Sequence, residues 1–153
     1  MNILLLAATV FLECESFSNP GGWTVDPSSM SEMGSAYLMA HGYGVPVADA
    51  ETAVVLPEKG IYSIWARTRN WNAEWSAVPA GRFGIVLDGN RLGGELGTGG
   101  RDWRWQSAGT RELDAGAHTL ALHDLTGFNG RCDAVVLTTE NLDEAGLEQI
   151  RRA

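Results

Sequence analysis

Short hydrophobic stretches that alternate with polar residues recur along the chain, and turn-forming residues separate them. They lie at residues 52–57, 60–69, 81–92, 103–116, 117–125 and 132–138. Within 60–69, the side chains of Tyr62, Ile64 and Ala66 fall on one face of an extended strand, and those between them fall on the other. Nothing between the stretches is long enough to form a helix. The pattern therefore predicts an all-β domain, an antiparallel β-sandwich.

The beginning of the chain does not follow this alternation. Residues 3–12 form an apolar run that is too short to span a bilayer as a helix, and no Lys or Arg precedes it as in a secretory signal. The run is either a retained signal remnant or a long first strand, covered by the sandwich or by a neighbouring subunit. We expect a strand over residues 11–17 and leave the preceding residues open between these alternatives.

Two further segments complete the expected organisation. Residues 26–36, rich in Ser, Met and Gly, are expected to be irregular, and the charged, amphipathic residues 142–152 are compatible with a short helix or a linker. The predicted division is an apolar leader or extra strand at 1–10, the sandwich domain at 11–140, and a helical tail or linker at 141–153.

The composition limits the possible functions. The 153 residues, 44% hydrophobic and 20% charged, are enough for one globular domain with a core of its own. A formal net charge of −8 repels phosphate backbones, so nucleic acid is not expected as a partner. The sequence contains no nucleophile elbow, zinc-protease motif or phosphate-binding loop, and we expect no enzymatic activity.

The two cysteines, Cys14 and Cys132, lie near opposite ends of the chain. They form no Cys-x-x-Cys pair, which excludes a zinc ribbon or a thioredoxin-type motif. In an exported protein a disulfide between them would close a loop of roughly 120 residues and stabilise the fold by about 4–5 kcal/mol. The alternative is two buried free thiols.

Four stretches follow one another in an order that is typical of one group of domains. They are LECES at 12–16, PEKGIYSIWARTRN at 57–70, TGGRDWRW at 98–105 and LDAGAHTLALHDLTGFNGRCDAVVLT at 113–138. Together they resemble the carbohydrate-binding modules of families 6 and 35, galactose-binding-like jelly rolls that also occur as accessory domains of secreted polysaccharide lyases and FAD-dependent oxidoreductases. The resemblance spans residues 11–139. It implies a jelly roll that binds a polysaccharide or glycan, in a secreted, periplasmic or cell-surface protein.

The resemblance also implies a structural calcium ion. Glu13 and Glu15 are two residues apart, so on a strand their side chains share one face. In the resembling families such a pair holds calcium together with an Asp of the last strand, and Asp133 occupies that place here. Carboxylate oxygens are the ligands that calcium prefers. The alternative is that these are solvent-facing carboxylates of an acidic protein.

Tryptophans in polar loops are the candidate sugar-binding residues, because the apolar CH face of a pyranose ring stacks on a flat aromatic ring. Trp71 and Trp75 lie in a polar segment without apolar periodicity. By the resemblance, Trp103 is the binding tryptophan and Asn129 the loop asparagine, and Tyr37 or Tyr43 supplies an opposing ring. The alternative is structural: Trp65 and Trp105 pack under the sheet, and the loop tryptophans cap the ends of the sandwich.

A second function class remains open at this stage. The apolar residues 3–12 could add as a strand to the sheet edge of a neighbouring copy, which would make the chain a structural or assembly subunit. A third possibility is an accessory piece of a larger oxidoreductase or lyase. The three histidines are expected to be structural or surface residues, since no convergent ligand set is evident for them.

Overall fold

The computed structural model describes residues 7–153, apart from the side chain of Glu32, and these residues form an antiparallel β-sandwich. Its strands are β1 (Thr9–Glu13), β2 (Thr24–Asp26), β3 (Tyr37–His41), β4 (Ala50–Leu56), β5 (Gly60–Thr68), β6 (Phe83–Leu87), β7 (Asn90–Arg91), β8 (Arg104–Leu113), β9 (Gly116–Asp124) and β10 (Phe128–Thr138). Its helices are α1 (Met30–Met33) and α2 (Glu144–Arg152).

Two sheets form the layers of the sandwich. The first has the order β2-β3-β10-β5-β8, and β1 pairs with the second half of β10. The second has the order β4-β9-β6-β7. Every pairing between neighbouring strands is antiparallel. The predicted fold class is therefore confirmed.

The main core lies between the two sheets and follows the alternation in the sequence. Tyr62, Ile64 and Ala66 of β5 are fully buried in it, together with the inward-facing residues of β6 and β9. The opposite side of the first sheet carries a second apolar cluster, in which Trp105 packs with Leu147 of α2. Trp65 and Trp105 therefore pack against the sheet, as in the structural alternative, and the layer that covers them is α2.

The C-terminal segment is a helix that packs on the sheet, not a free linker. Asp143 caps it by accepting a hydrogen bond of 2.8 Å from the backbone N–H of Gly146. Leu147 is fully buried on the outer side of the first sheet. Burial of one leucine side chain contributes about 1.5–3 kcal/mol. The helix is therefore part of the packed domain.

The first strand is shorter than expected. β1 ends at Glu13, and Cys14–Ser16 form a 3₁₀ turn closed by a hydrogen bond of 3.1 Å from the Phe17 N–H to the Cys14 carbonyl. β1 pairs with β10 of its own chain. Residues 3–6 of the apolar run lie outside the described residues, so strand addition to a neighbour stays a prediction. Within residues 7–153, no helix has the length and apolar character to cross a membrane.

The segment 26–36, expected to be irregular, contains the end of β2 and the short helix α1, and β3 follows it directly. β2 pairs with β3, and the hydroxyl of Tyr37 donates a hydrogen bond of 2.7 Å to the Asp26 carboxylate across this pair. The strands are only three and five residues long. Such short strands carry too little alternation to be recognised, and a long-range side-chain bond fixes them instead.

Cys14 and Cys132 meet in the core, and the structure contains them as free thiols. Their Sγ atoms are 3.3 Å apart, a hydrogen-bond contact that is longer than the roughly 2.05 Å of a disulfide bond. Of the two alternatives, the structure contains the pair of buried thiols, and a disulfide in the exported protein stays a prediction. Burial raises the pKa of the Cys14 thiol well above its ordinary value, and the Cys132 thiol beside it raises it further.

Candidate functional site

One end of the sandwich is formed by two connections that are bonded to each other. The carbonyl of Gly127, between β9 and β10, accepts hydrogen bonds from Gly42 N–H (2.9 Å) and Gly44 N–H (3.2 Å), between β3 and β4. The buried carboxylate of Asp124 accepts from Gly127 N–H (3.0 Å) and from Val47 N–H (2.9 Å). These bonds satisfy buried polar groups and hold both connections in one conformation.

Two residues at this end have left-handed backbone conformations. Tyr43 has φ = 53° and Asn129 has φ = 62°. Both side chains meet His41: its Nδ1 lies 2.5 Å from Asn129 Oδ1, and its ring centroid lies 4.4 Å from that of Tyr43. A non-glycine residue in this region costs of order 1 kcal/mol or more, and such residues cluster at functional sites. The arrangement marks this end of the sandwich as the candidate site.

The long β5–β6 connection brings the predicted loop tryptophans to the same place. Trp71 Nε1 donates a hydrogen bond of 2.8 Å to the carbonyl of Phe128, at the start of β10. The ring centroid of Trp75 is 6.2 Å from that of Trp71, with 59° between the planes. The guanidinium carbon of Arg131 is 5.4 Å from the centroid of the Trp71 ring, within cation–π range.

Asn72 folds this connection back on itself. Its side-chain amide donates to the carbonyl of Val78 (3.2 Å), and its Oδ1 accepts from the N–H of Ala80 (3.0 Å). An asparagine that bonds to nearby backbone groups is a common way to fix a loop. The two tryptophans therefore sit on a loop held by its own hydrogen bonds.

The result is a continuous set of solvent-facing rings with polar groups beside them. Tyr43 is 83% exposed, Trp75 73% and Phe128 51%, and Trp71 is half-buried beneath them. We call this set the aromatic surface; it consists of His41, Tyr43, Trp71, Trp75, Phe128, Asn129 and Arg131. Large apolar side chains exposed together are unusual on a soluble domain and mark contact sites.

Tyr37 and Trp103 do not belong to the aromatic surface. Tyr37 is only 2% exposed, so it cannot supply an opposing ring, and that prediction is wrong. Its ring packs 4.8 Å from Trp103, and Trp103 in turn lies 5.8 Å from the guanidinium of Arg67. Trp103 is half-buried, and its Nε1 has no hydrogen-bond partner among the described residues. A ligand role for Trp103 stays a prediction.

Three members of the aromatic surface were not foreseen from the sequence. Phe128, His41 and Arg131 come together because β10 and β3 pair with Phe128 opposite His41. A partial signal for Phe128 was present: an aromatic residue beside a turn glycine, outside the alternation of β10. No local pattern pointed to His41 or Arg131, since only the pairing of strands far apart in sequence places them here.

The predicted calcium ligands do not form a metal site. Because β1 ends at Glu13, Glu13 and Glu15 are not successive outward residues of one strand. Burial, together with the neighbouring carboxylates of Glu13 and Asp133, raises the pKa of Glu15 to about 7. Asp133, however, is held by the guanidinium groups of Arg67 and Arg151.

Calcium takes six to eight oxygen ligands. Within residues 7–153 no group of three or more His, Cys, Asp or Glu side chains is placed to hold a metal ion. Asp133 is thus already paired with two guanidinium groups, whereas Glu15 Oε2 is buried without a hydrogen-bond partner among the described residues, and the calcium ion that the resemblance implies stays a prediction.

No protein-family model matches the sequence, and no curated protein matches it. Solved structures do match its fold. The GH26-CBM35 β-(1,4)-mannanase of Podospora anserina aligns with a TM-score of 0.65 and 19% identity, over 89% of this chain and 29% of that one. The chain thus spans less than a third of the mannanase.

Two isolated modules match over nearly their whole length. The C-terminal family 6 module of LamC from Zobellia galactanivorans has a TM-score of 0.62 and 24% identity, over 86% of this chain and 99% of that one. A family 35 module from Clostridium thermocellum has a TM-score of 0.64 and 18% identity, over 85% and 98%. The fold of this chain is therefore that of the carbohydrate-binding modules of families 6 and 35.

Proposed function

We propose that this chain is a non-catalytic carbohydrate-binding domain and that the aromatic surface is its ligand site. The observation that carries the proposal is the joint exposure of Tyr43, Trp75 and Phe128 at one end of a fold shared with carbohydrate-binding modules. These rings leave at least half of their surface in solvent instead of in the core. They offer flat apolar faces to a ligand that has flat apolar faces of its own.

The polar members of the aromatic surface can supply the other requirement of sugar recognition, which is hydrogen bonding to the hydroxyl groups. His41 and Asn129 are already bonded to each other, and Arg131 is held over Trp71, so their remaining donors and acceptors have fixed directions. Hydroxyl groups of a sugar can bond to such groups without reordering the protein. The rings stack on the sugar faces, and the polar groups select the hydroxyl pattern.

The aromatic surface includes no carboxylate. Glycoside hydrolysis needs a pair of carboxyl groups across the scissile bond. The nearest acidic side chain in sequence, Glu74, forms a salt bridge with Arg101. The surface is therefore suited to holding a glycan and not to cleaving it. We also propose an extracytoplasmic location, since polysaccharides of the kind such modules bind are found there.

Binding should be weak, in the micromolar to millimolar range, because the surface is exposed and offers few polar contacts. The test is a glycan array, followed by calorimetry on the ligand found, with Trp75→Ala, Tyr43→Ala and Phe128→Ala. Each variant should reduce affinity about 10-fold or more if its ring stacks on a sugar.

Ile61→Ala is the matched control. Ile61 is an exposed apolar side chain of β5 outside the aromatic surface, and its removal should leave affinity unchanged. Equal affinity of all three aromatic variants and the wild type would place the glycan elsewhere. An array with no bound glycan would argue against the function itself.

A further inference from the structure

We propose that Arg151 of α2 does at Asp133 what the resemblance assigns to a calcium ion, so that the domain is held together without metal. Asp133 lies in the middle of β10 and is 2% exposed. Its Oδ2 accepts hydrogen bonds from Arg67 Nη1 (3.1 Å) and Arg151 Nε (2.8 Å), and its Oδ1 accepts from Ser35 Oγ (3.0 Å). Both carboxylate oxygens are thus used by the protein.

Arg151 is placed as a cross-link and not as a surface charge. Its side chain is 11% exposed, and its Nη2 donates to the Met33 carbonyl (2.9 Å) and to Ser35 Oγ (3.2 Å). One guanidinium therefore joins α2, β10 and the segment between β2 and β3. A structural cation at Asp133 would join the last strand to a neighbouring segment in the same sense.

A second carboxylate, on the same helix as Arg151, also pairs with Arg67, and Glu13 and Glu15 bring further negative charge close to Asp133. Glu148 accepts hydrogen bonds from Arg67 Nε (2.6 Å) and from Trp105 Nε1 (2.8 Å). Two guanidinium groups thus face two carboxylates, and Arg67 bonds to both of these acids. We call Arg67, Asp133, Glu148 and Arg151 the arginine clamp. A divalent cation here would add two positive charges beside two guanidinium groups, which opposes its binding.

The space beside Asp133 has the same character. A cleft of about 190 Å³ is lined by Glu13, Ser35, Asp133, Arg151 and Arg152. Its two arginines offer no lone pair to a metal ion, and the pattern of donors is that of an occupied ion pair.

The first test uses the unaltered full chain. Thermal unfolding is followed at pH 8 in about 5 mM calcium chloride and, separately, in about 5 mM EDTA after dialysis against EDTA. For a site with a micromolar dissociation constant, even about 1 mM free calcium would raise the unfolding midpoint by several degrees. We expect the two midpoints to agree within about 1 °C. A midpoint that rises with calcium or falls in EDTA would overturn the proposal.

The second test removes the cross-link. Arg151→Met should lower the midpoint by about 6 °C or more, since loss of one partner leaves a buried carboxylate less compensated. Arg152→Met is the matched control, because the Arg152 side chain is 76% exposed and its Nε lies 3.8 Å from Glu148 Oε2. Equal midpoints for the two variants would overturn the proposal. If Arg151→Met fails to fold, Arg151→Lys is measured instead. Lysine keeps the positive charge but loses the planar guanidinium, so its unfolding midpoint should lie below that of the wild type.

Discussion

The indole Nε1 of Trp71 and the carbonyl oxygen of Phe128 are joined by a hydrogen bond of 2.8 Å that links the β5–β6 connection to the start of β10. Two of the rings in the aromatic surface are thereby placed by one bond between segments far apart in sequence. The orientation of Trp75 follows as well, because its ring rests against Trp71. The geometry of the surface depends on this contact.

Trp71→Phe tests that dependence, because it keeps an aromatic ring and removes only the N–H. A single neutral hydrogen bond contributes about 0.5–1.5 kcal/mol, so we expect affinity for the bound glycan to fall about 2- to 10-fold. Calorimetry on the ligand identified by the array measures this. Trp65→Phe, beneath α2, is the control and should bind as the wild type does. Undiminished affinity of Trp71→Phe would show that glycan binding does not depend on this hydrogen bond.

Substitutions at Asn129 separate the backbone cost from the side-chain role. Asn129→Gly removes the amide but suits the φ of 62°, whereas Asn129→Ala keeps the strain and removes the bond to His41. We expect Asn129→Ala to be less stable than Asn129→Gly by about 1 kcal/mol in urea unfolding. Both should lose affinity for the glycan to a similar extent. Equal stability of the two variants would mean that the left-handed conformation relaxes in solution.

His118 should make stability depend on pH. Its Nδ1 lies 2.6 Å from Asp88 Oδ2 and its Nε2 lies 2.7 Å from the Asp114 carbonyl, so both ring nitrogens face acceptors. The hydrogen bond to Asp88 and then that to Asp114 raise the pKa of His118 above its usual value of 6.5. Burial alone would raise the pKa of Asp88, but its hydrogen bonds to His118 and Thr119 lower that pKa below its usual value.

The signs of the two shifts define a pH window. A raised histidine pKa contributes stability below about pH 6.5 that is lost as pH rises through the folded value, and a lowered Asp88 pKa contributes stability lost as pH falls below about 4. His118→Gln should therefore cost most, of order 1 kcal/mol, near pH 5.5 and much less at pH 9. Urea unfolding at the two pH values measures this. In the His118→Gln background, Asp88→Asn should add little; a full additional loss would show that the pair does not act together.

The buried thiols should be unreactive in the folded protein. Because burial raises the pKa of Cys14, little thiolate is present at neutral pH, and neither sulfur is accessible. We expect no reaction with Ellman's reagent in the native state and two reactive thiols per chain in guanidinium chloride. Two sulfurs that titrate at once in native protein would contradict the core placement. If denatured protein that has not been reduced contains no reactive thiol, the two cysteines are oxidised to a disulfide.

The elements that were predicted correctly are strands in which apolar and polar residues alternate along the strand itself. β5 alternates over its whole length, and its inward residues Tyr62, Ile64 and Ala66 are buried as expected. β2 and β3 were not foreseen because their pairing depends on a bond between Asp26 and Tyr37, which are eleven residues apart. Local alternation cannot report a contact of that kind.

The candidate site was predicted in part for the same reason. Trp71 and Trp75 were recognisable from a polar loop that gives them no place in the core, whereas Tyr37 looked equally free and is buried. The calcium prediction assumed that a strand continues through Glu15, and a 3₁₀ turn at Cys14 prevents it. Arg151, which donates a hydrogen bond to Oδ2 of Asp133, belongs to a segment that the sequence could not attach to any face of the sheet.

β10 is hydrogen-bonded along both of its edges, first by β3 and then by β1 on one side and by β5 on the other. Its amides between Cys132 and Leu137 should therefore exchange with deuterium only when the whole domain unfolds. Phe128, Asn129 and Arg131 begin this same strand. A glycan that contacts them is bound next to the slowest-exchanging segment of the molecule, so binding should protect the amides of the β3–β4 and β5–β6 connections and leave those between Cys132 and Leu137 unchanged.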